Sequence, residues 1–346
     1  MKIADLAAKT KAAENEQIEH LRAKSAELDK EVRRLRQIIG EQREIATGLV
    51  AAVKATDPFP RIAWKSPAKS GKPIIPVLKL SDLHIGEVIR KDETEGFGAF
   101  NWDIAQERAA YIVNSFLRWV ETQRYGYRID ECCIFGEGDY ISGDIHRELS
   151  VTAEFPVPVQ TAKAGLLIGH LISLIAPHFA KVTFHQVGAD NHSRLNPKPQ
   201  FKQKAQNSYS YLVHTIAAQA LANHKNVEIV TATGIKHLAS VNGFRFLIEH
   251  GDTVKAFMGI PWYGLERSRA REATRRMNTD KGFHYMSIAH WHVPCLIGNS
   301  IVVNGSLCGT NEFDHGCGRY AAPAQVAFMV HPEHGMFGLT PFRTEI

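Results

Sequence analysis

The sequence predicts an α/β fold, on three observations. Short apolar runs of strand character recur between residues 74 and 303, a cluster of Asp, Asn or His closes most of them, and amphipathic helical stretches lie in between. Strands that alternate with helices form a largely parallel sheet and bring their ends to one edge, where such folds place their sites. At 346 residues and 44% hydrophobic content the chain can bury a full core, as one large or two medium domains.

Residues 1–55 stand apart: they are rich in Ala, Glu, Lys and Arg, with no proline and with glycine only at Gly40 and Gly48. A seven-residue register fits from Ile18 to Leu49, with Ile18, Ser25, Val32, Ile39 and Ala46 at a and Leu21, Leu28, Leu35, Gln42 and Leu49 at d. β-Branched residues at a with Leu at d favour a parallel dimer, and the g-to-e′ pairs Lys24 with Asp29 and Glu31 with Arg36 are attractive in it. The expectation is a homodimeric coiled coil through residues 18–49. Ser25 and Gln42 weaken the seam, and an amphipathic helix folded onto the globular domain is the alternative. Residues 56–73, with Pro58, Pro60, Pro67, Gly71 and Pro73 among Lys65, Lys69 and Lys72, read as a semi-rigid basic linker. The main domain then runs from 74 to 346.

Its first strand is Ile74 to Leu80. The stretch from Leu80 to Gly86, Leu-Ser-Asp-Leu-His-Ile-Gly, sets Asp82 and His84 two residues apart just beyond it. In an extended segment i and i+2 point to the same side, so a carboxylate and an imidazole converge as a metal site requires. A helix follows, capped near Asn101, running to Arg124 and ended by Gly126. Then come the run Cys132 to Phe135 before Gly138-Asp139, and the apolar stretch Leu166 to Ala176, too short to span a bilayer and read as a core helix. Val182 to Val187 precedes Asn191-His192, and a helix from Tyr209 to Ala222 and a strand from Val227 to Val230 follow. Phe244 to Ile248 leads to His250-Gly251-Asp252, and Met286 to Ala289 leads to His290-Trp291-His292. Ile301 to Ser306 and Val326 to Val330 are expected to close a second sheet. The loop with Asn311, Glu312, Asp314 and His315 is expected to be structural, or at most part of a substrate rim.

The series Asp-x-His, Gly-Asp, Asn-His, His, His-x-His, in that order from Ile74 to about Val303, resembles the calcineurin-like metallophosphoesterase superfamily. The resemblance implies two mixed β-sheets in a sandwich flanked by helices, and two divalent metal ions. By it Asp82, His84, Asp139 and His292 hold one ion, Asp139, Asn191, His250 and His290 hold the other, Asp139 bridges them, and His192 is the catalytic residue that faces the substrate. The stretch Gly138 to Leu149, together with Asn191 to Arg194, is similar to phage- and prophage-encoded members, and the chain to the DNA-repair exonuclease branch. Where the superfamily's protein phosphatases continue with Asp-Arg-Gly, this chain has Ser142, Gly143 and Asp144, so their phosphate-clamping arginine is missing. Two further departures are Ala189-Asp190-Asn191-His192-Ser193-Arg194, without the usual Gly before Asn and acidic residue after His, and Ala289 in place of Gly. Orientation of His192 then falls to another group, with Asp190 and Asp252 the candidates.

The residue types carry the same chemistry by themselves. Oxygen and imidazole donors without thiolate suit manganese first, with iron or zinc as alternatives. Two such ions about 4 Å apart polarise a phosphoryl oxygen and bind a hydroxide for in-line attack, and a histidine can protonate the leaving oxygen. Arg194 and His146 are candidate substrate contacts, as are Arg267, Arg269 and Arg271, which follow Trp262 and Tyr263. The arginine run reads either as a groove for a polyanion or as a solvated helical face. A net charge of +5 permits an anionic partner without requiring one. Five cysteines without a Cys-x-x-Cys pair fit reduced thiols in a cytoplasmic protein, and the charged N-terminus does not read as a signal peptide. The expected function is a dinuclear metal phosphodiesterase, a nuclease or exonuclease acting on nucleic acid and not at a membrane. The alternatives are a phosphomonoesterase or small cyclic-nucleotide diesterase, and a non-catalytic coiled-coil assembly protein.

Overall fold

The computed structural model describes residues 3–55 and 71–344 and divides into two compact units, Met1–Ser66 and Pro67–Ile346. The first is one helix, α1 (Ile3–Ala55). Its predicted seam residues Ile18, Leu21, Leu28, Val32, Leu35 and Ile39 lie along it between 43% and 58% exposed. The predicted linker falls outside the described residues except for 71–73.

The second unit is α/β, with two mixed sheets and helices. The first sheet holds β1 (Ile75–Leu80), β2 (Glu131–Gly136), β3 (Lys181–Gln186), β4 (Val227–Thr231), β10 (Ala324–His331) and β11 (Gly335–Arg343) in the order β11-β10-β1-β2-β3-β4. Strands β1 to β4 are parallel, and β10 and β11 are added antiparallel at the β1 side. The second sheet runs β5-β6-β7-β9-β8, from β5 (Lys236–Val241), β6 (Phe244–Glu249), β7 (Tyr285–Ile288), β8 (Cys295–Ile297) and β9 (Ile301–Val303), with β6, β7 and β9 parallel.

Strand alternation sorts the layers. Leu78 and Leu80 of β1 join a core with α2 (Trp102–Arg124), α4 (Val157–Ile175) and α5 (Tyr209–Ala220). Val77 faces the other way, into the layer between the sheets, with Phe135, Phe246, Ile248, Val302 and Phe328. A third cluster, Leu247, Met286, Ile288 and Val303 with Leu265, seats α6 (Trp262–Arg276) on the far side of the second sheet. Asn101 caps α2 as its side chain accepts from Ile104 N at 2.9 Å. The apolar helix α4 is a core helix, with Ile168, Ile172 and Ile175 fully buried.

Three features depart from the sequence expectation. Strand β10 joins the first sheet beside β1, not the second, because its antiparallel register with Ile75–Leu78 covers an otherwise open edge. Strand β9 stops at Val303, and Asn304 turns inward to donate to Ser81 Oγ at 2.8 Å. Strands β5, β8 and β11 carried no clear signal: β5 mixes polar and apolar residues, β8 has three residues, and β11 contains Gly338 and Pro341, which a sheet edge tolerates.

Beneath the loop after β3, the buried His214 of α5 meets the Tyr140 hydroxyl at 3.2 Å. Burial pushes its pKa from an ordinary 6.5 down to about 3. Below pH 6.5 the unfolded chain binds a proton that the folded chain refuses, so stability present at neutral pH is lost as pH falls toward 3. Urea unfolding at pH 7 and 5.5 is expected to show the parent losing about 1.3 kcal/mol more than His214→Gln over that interval.

Candidate metal centre

The polar motifs meet where the strand ends of the two sheets adjoin. The loop after β1 runs beside the loop after β2: Asp82 N donates to Gly138 O, His84 N to Asp139 O and Ile85 N to Tyr140 O, all at 3.0–3.1 Å. Ala289 N likewise donates to His250 O at 2.9 Å, tying the loop after β7 to that after β6.

Asp82, His84, Asp139, His290 and His292 all have positive φ, between 46° and 69°. This region is sparsely used by residues other than glycine, and such strain collects at functional sites. Asp82 and His84 therefore converge through two left-handed residues beyond the end of β1, and not through the pleat of an extended strand. Gly138 is required beside them: it has φ +89°, and a Cβ there would lie 2.7 Å from that of Asp190.

Two clusters of donor atoms result, Asp82-His84-Asp139 and Asp139-His250-His290, each within 4.8 Å internally and sharing Asp139. His250 Nε2 lies 3.0 Å from Asp139 Oδ2 and 3.0 Å from Asn191 Oδ1. His292 Nε2 lies 3.2 Å from His84 Nε2 and 3.4 Å from Asp82 Oδ1. Donors about 2.1 Å from one ion stand about 3.0 Å apart at right angles and about 3.4 Å apart at the tetrahedral angle. The spacing of this oxygen and nitrogen set therefore fits divalent cations. All seven predicted ligands, Asp82, His84, Asp139, Asn191, His250, His290 and His292, lie within this group of contacts.

The surroundings prepare the donors. His250 Nδ1 donates to the Glu137 carbonyl at 2.8 Å, which leaves Nε2 for a metal. Burial, with the rings of His192 and His292 nearby, pushes His84 down to about 3, and burial with His250 pushes His290 to about 4, so both stay neutral and able to ligate. Burial opposes the protonated forms of His250 and His292 as well, but the carboxylates of Asp139 and Asp82 outweigh it and raise both.

His192 stands over the first cluster, its ring 4.7 Å from that of His84. Its Nδ1 donates to the Ser142 carbonyl at 2.7 Å, and its backbone N–H to Asp139 Oδ1 at 3.0 Å. Neither Asp190 nor Asp252 orients it. Asp190 accepts from Ser193 and Ser210, and Asp252 pairs with Lys204 at 2.5 Å. A backbone carbonyl does this work, and the next residue, Gly143, has no room for a side chain, since a Cβ there would sit 2.1 Å from His192 O.

The centre opens into a pocket of about 240 Å³ that His84, Asp139, His192, His290 and His292 share with Glu87, Leu149, Trp291, Cys308, Phe313, Asp314, Arg319 and Tyr320. The loop expected to be structural, or at most part of a substrate rim, lines this pocket through Asn311 and Asp314. Its aromatic and basic residues, Phe313, Arg319 and Tyr320, were the available signal. Burial raises the pKa of Glu87, whose carboxyl accepts from Ser142 Oγ. Cys308 Sγ lies within 4.8 Å of the donor atoms of His84 and His292, but burial raises its pKa and keeps it a thiol. All five cysteines are free.

The proposed substrate contacts separate. The Arg194 guanidinium donates to Asn196 O and Pro197 O and lines a different, small cavity, so it braces its own loop. His146 is exposed at the start of α3 (Arg147–Thr152) and lines none of the site pocket. Arg269 turns toward the second sheet, donating to His284 O at 3.3 Å, whereas Arg267 and Arg271, one helical turn apart, line an open groove of about 490 Å³. Residues i and i+2 of a helix face nearly opposite ways, so the three arginines cannot share one surface.

No protein-family model matches the chain, and no curated protein sequence does. Among solved structures it is similar to a conserved uncharacterized protein and predicted phosphoesterase from Streptococcus pneumoniae, with 9% identity, coverage of 78% of this chain and 99% of that one, and a TM-score of 0.30. It is also similar to Vps29 complexed with zinc from Entamoeba histolytica, with 11% identity, 78% and 99% coverage and a TM-score of 0.29. Vacuolar Protein Sorting 29 from Cryptosporidium parvum gives 11% identity, 79% and 100% coverage and a TM-score of 0.31.

Proposed function

We propose that this protein is a metal-dependent phosphoesterase of the calcineurin-like metallophosphoesterase kind that hydrolyses phosphodiester bonds, with nucleic acid as substrate. The observation that carries it is the pair of donor clusters joined through Asp139 on the floor of a pocket. Asp82, His84, Asp139 and His292 would hold one ion and Asp139, Asn191, His250 and His290 the other. Two divalent ions, manganese first, supply the charge that polarises a phosphoryl oxygen and activates water. His192 holds the proton for the leaving oxygen, its remaining ring nitrogen Nε2 being the one not committed to Ser142. The absent phosphatase arginine favours a diester over a phosphoprotein, and positive charge near the site, with the similarity of Gly138 to Leu149 and Asn191 to Arg194 to phage-encoded members, favours a nuclease or exonuclease. A cytoplasmic setting suits the five free thiols. A parallel dimer through residues 18–49 suits the exposed a and d residues of α1.

The test is leaving-group dependence in the presence of manganese. His192→Ala is expected to keep its metal while turnover of bis-p-nitrophenyl phosphate falls roughly 10²- to 10⁴-fold, with the deficit shrinking as the leaving group becomes more acidic. Loss of metal in the variant, or an undiminished rate on poor leaving groups, would remove this role.

A further inference from the structure

Beyond the metal pocket, a chain of basic and aromatic side chains leads away from Arg319. The wall residues Phe313 and Tyr320 are 68% and 61% exposed, and Arg319 sits 5.8 Å from the Phe313 ring. On the other side of Arg319, its Nη2 lies 3.9 Å from where a Cβ would stand on Gly259. Gly259 belongs to a tight turn in which Phe257 and Ile260 exchange backbone hydrogen bonds at 3.0 and 2.9 Å. Met258 and Gly259 both have positive φ, the geometry of a hairpin turn that holds its shape. The turn carries Phe257, Met258 and Ile260 outward, 62%, 87% and 56% exposed. The Phe257 ring is 6.0 Å from that of Tyr263, and both line the groove with Lys255, Arg267 and Arg271.

Apolar side chains fixed in water beside cations cost free energy unless a ligand covers them. The arginines divide in the same sense. Arg275 and Arg276 of α6 pair with Glu272, whereas among the described residues no carboxylate forms an ion pair with Arg267, Arg271 or Arg319. Glu87 and Asp314 share the metal pocket with Arg319, and Glu272, which lines the groove, is already engaged by Lys236, Arg275 and Arg276. Phosphates attract the guanidinium groups, and exposed ring faces stack on bases. A duplex hides those faces in its own stack, and a single strand offers them.

We propose that Phe313, Arg319, Tyr320, Phe257, Arg267 and Arg271 form a track that binds single-stranded nucleic acid and leads it to the metal pocket. This rests on the phosphodiesterase reading and assigns its substrate as a single strand several nucleotides long.

The test is fluorescence anisotropy on the full chain in EDTA, where no strand is cut, with a labelled 12-nucleotide single strand and a duplex of the same length. The single strand is expected to bind at least about tenfold more tightly. Arg319→Ala should lower the log–log salt slope by about 0.7, and the Arg267→Ala, Arg271→Ala double variant by about 1.4. Arg319→Lys should keep the parent slope yet lose affinity, because it keeps the charge and loses the planar face. Alanine variants with the parent's slopes, or a duplex bound as tightly as the single strand, overturns the track. Turnover of bis-p-nitrophenyl phosphate by the parent, measured in parallel, separates the two ideas. Diester turnover with failed anisotropy removes the track alone, and anisotropy as expected with no ester cleaved removes the phosphodiesterase and keeps a single-strand binding surface.

Discussion

Asp139→Ala is expected to lose diester turnover more completely than any other single substitution, beyond the roughly 10²- to 10⁴-fold that marks loss of acid–base help alone. Its carboxylate belongs to both donor clusters, accepts the His192 backbone N–H and lies 3.0 Å from His250. One substitution therefore removes a donor from each cluster and releases the loop that carries His192. Asp139→Asn separates these effects. The amide keeps the shape and an oxygen acceptor but lacks the charge that draws a cation, so the loop should remain while metal content falls. Elemental analysis of both variants beside His192→Ala checks this, since His192→Ala alone should retain its ions.

The largest expected effect on stability lies under the site, at Lys79. This fully buried side chain of β1 crosses the layer between the sheets to donate to Ile288 O and Val302 O, both at 2.9 Å, and stands 3.1 Å from Glu137 Oε2. Burial lowers the pKa of Lys79 and raises that of Glu137, each opposing its charged form, while the partner's charge favours it. Lys79→Met fills the space but leaves Glu137 Oε2 buried without its cation and takes the ammonium from both carbonyls, of which Ile288 O keeps the Asn304 N–H, and should cost about 3–5 kcal/mol. Adding Glu137→Gln should recover part of that loss, since an uncharged amide is cheaper to bury than an unpaired carboxylate. Urea unfolding of the two single variants and the double one measures the coupling. The site should feel it too, because Glu137 supplies the carbonyl that orients His250.

What the sequence disclosed and what it hid follow from how each residue is held. Apolar runs announced β1, β2, β3, β6 and β7, and the polar residues after them were close enough in sequence to be carried to one sheet edge. Their number and type survive any modest error in strand boundaries. The left-handed conformations of Asp82, His84, Asp139, His290 and His292 were not legible, because they are imposed by neighbouring loops. Lys79 looked like an ordinary strand residue. Only the second sheet, distant in sequence, makes its ammonium a bridge. Ser142 could not be chosen over Asp190 as the partner of His192, since a backbone carbonyl leaves no residue signature. The placement of β10 was likewise hidden, because an apolar strand of this kind fits either sheet and pairing with β1 decides it. On α6, helical spacing alone could have set Arg269 apart from Arg267 and Arg271.

The most direct test of the central claim counts ions and turnover together. The full chain, stripped with EDTA and titrated with manganese, is assayed on bis-p-nitrophenyl phosphate and p-nitrophenyl phosphate while bound metal is measured by elemental analysis. A two-metal phosphodiesterase predicts two ions per chain, with diester turnover rising as the second is bound and the monoester a poorer substrate. Two ions bound with neither ester cleaved, or turnover that persists without metal, would contradict it.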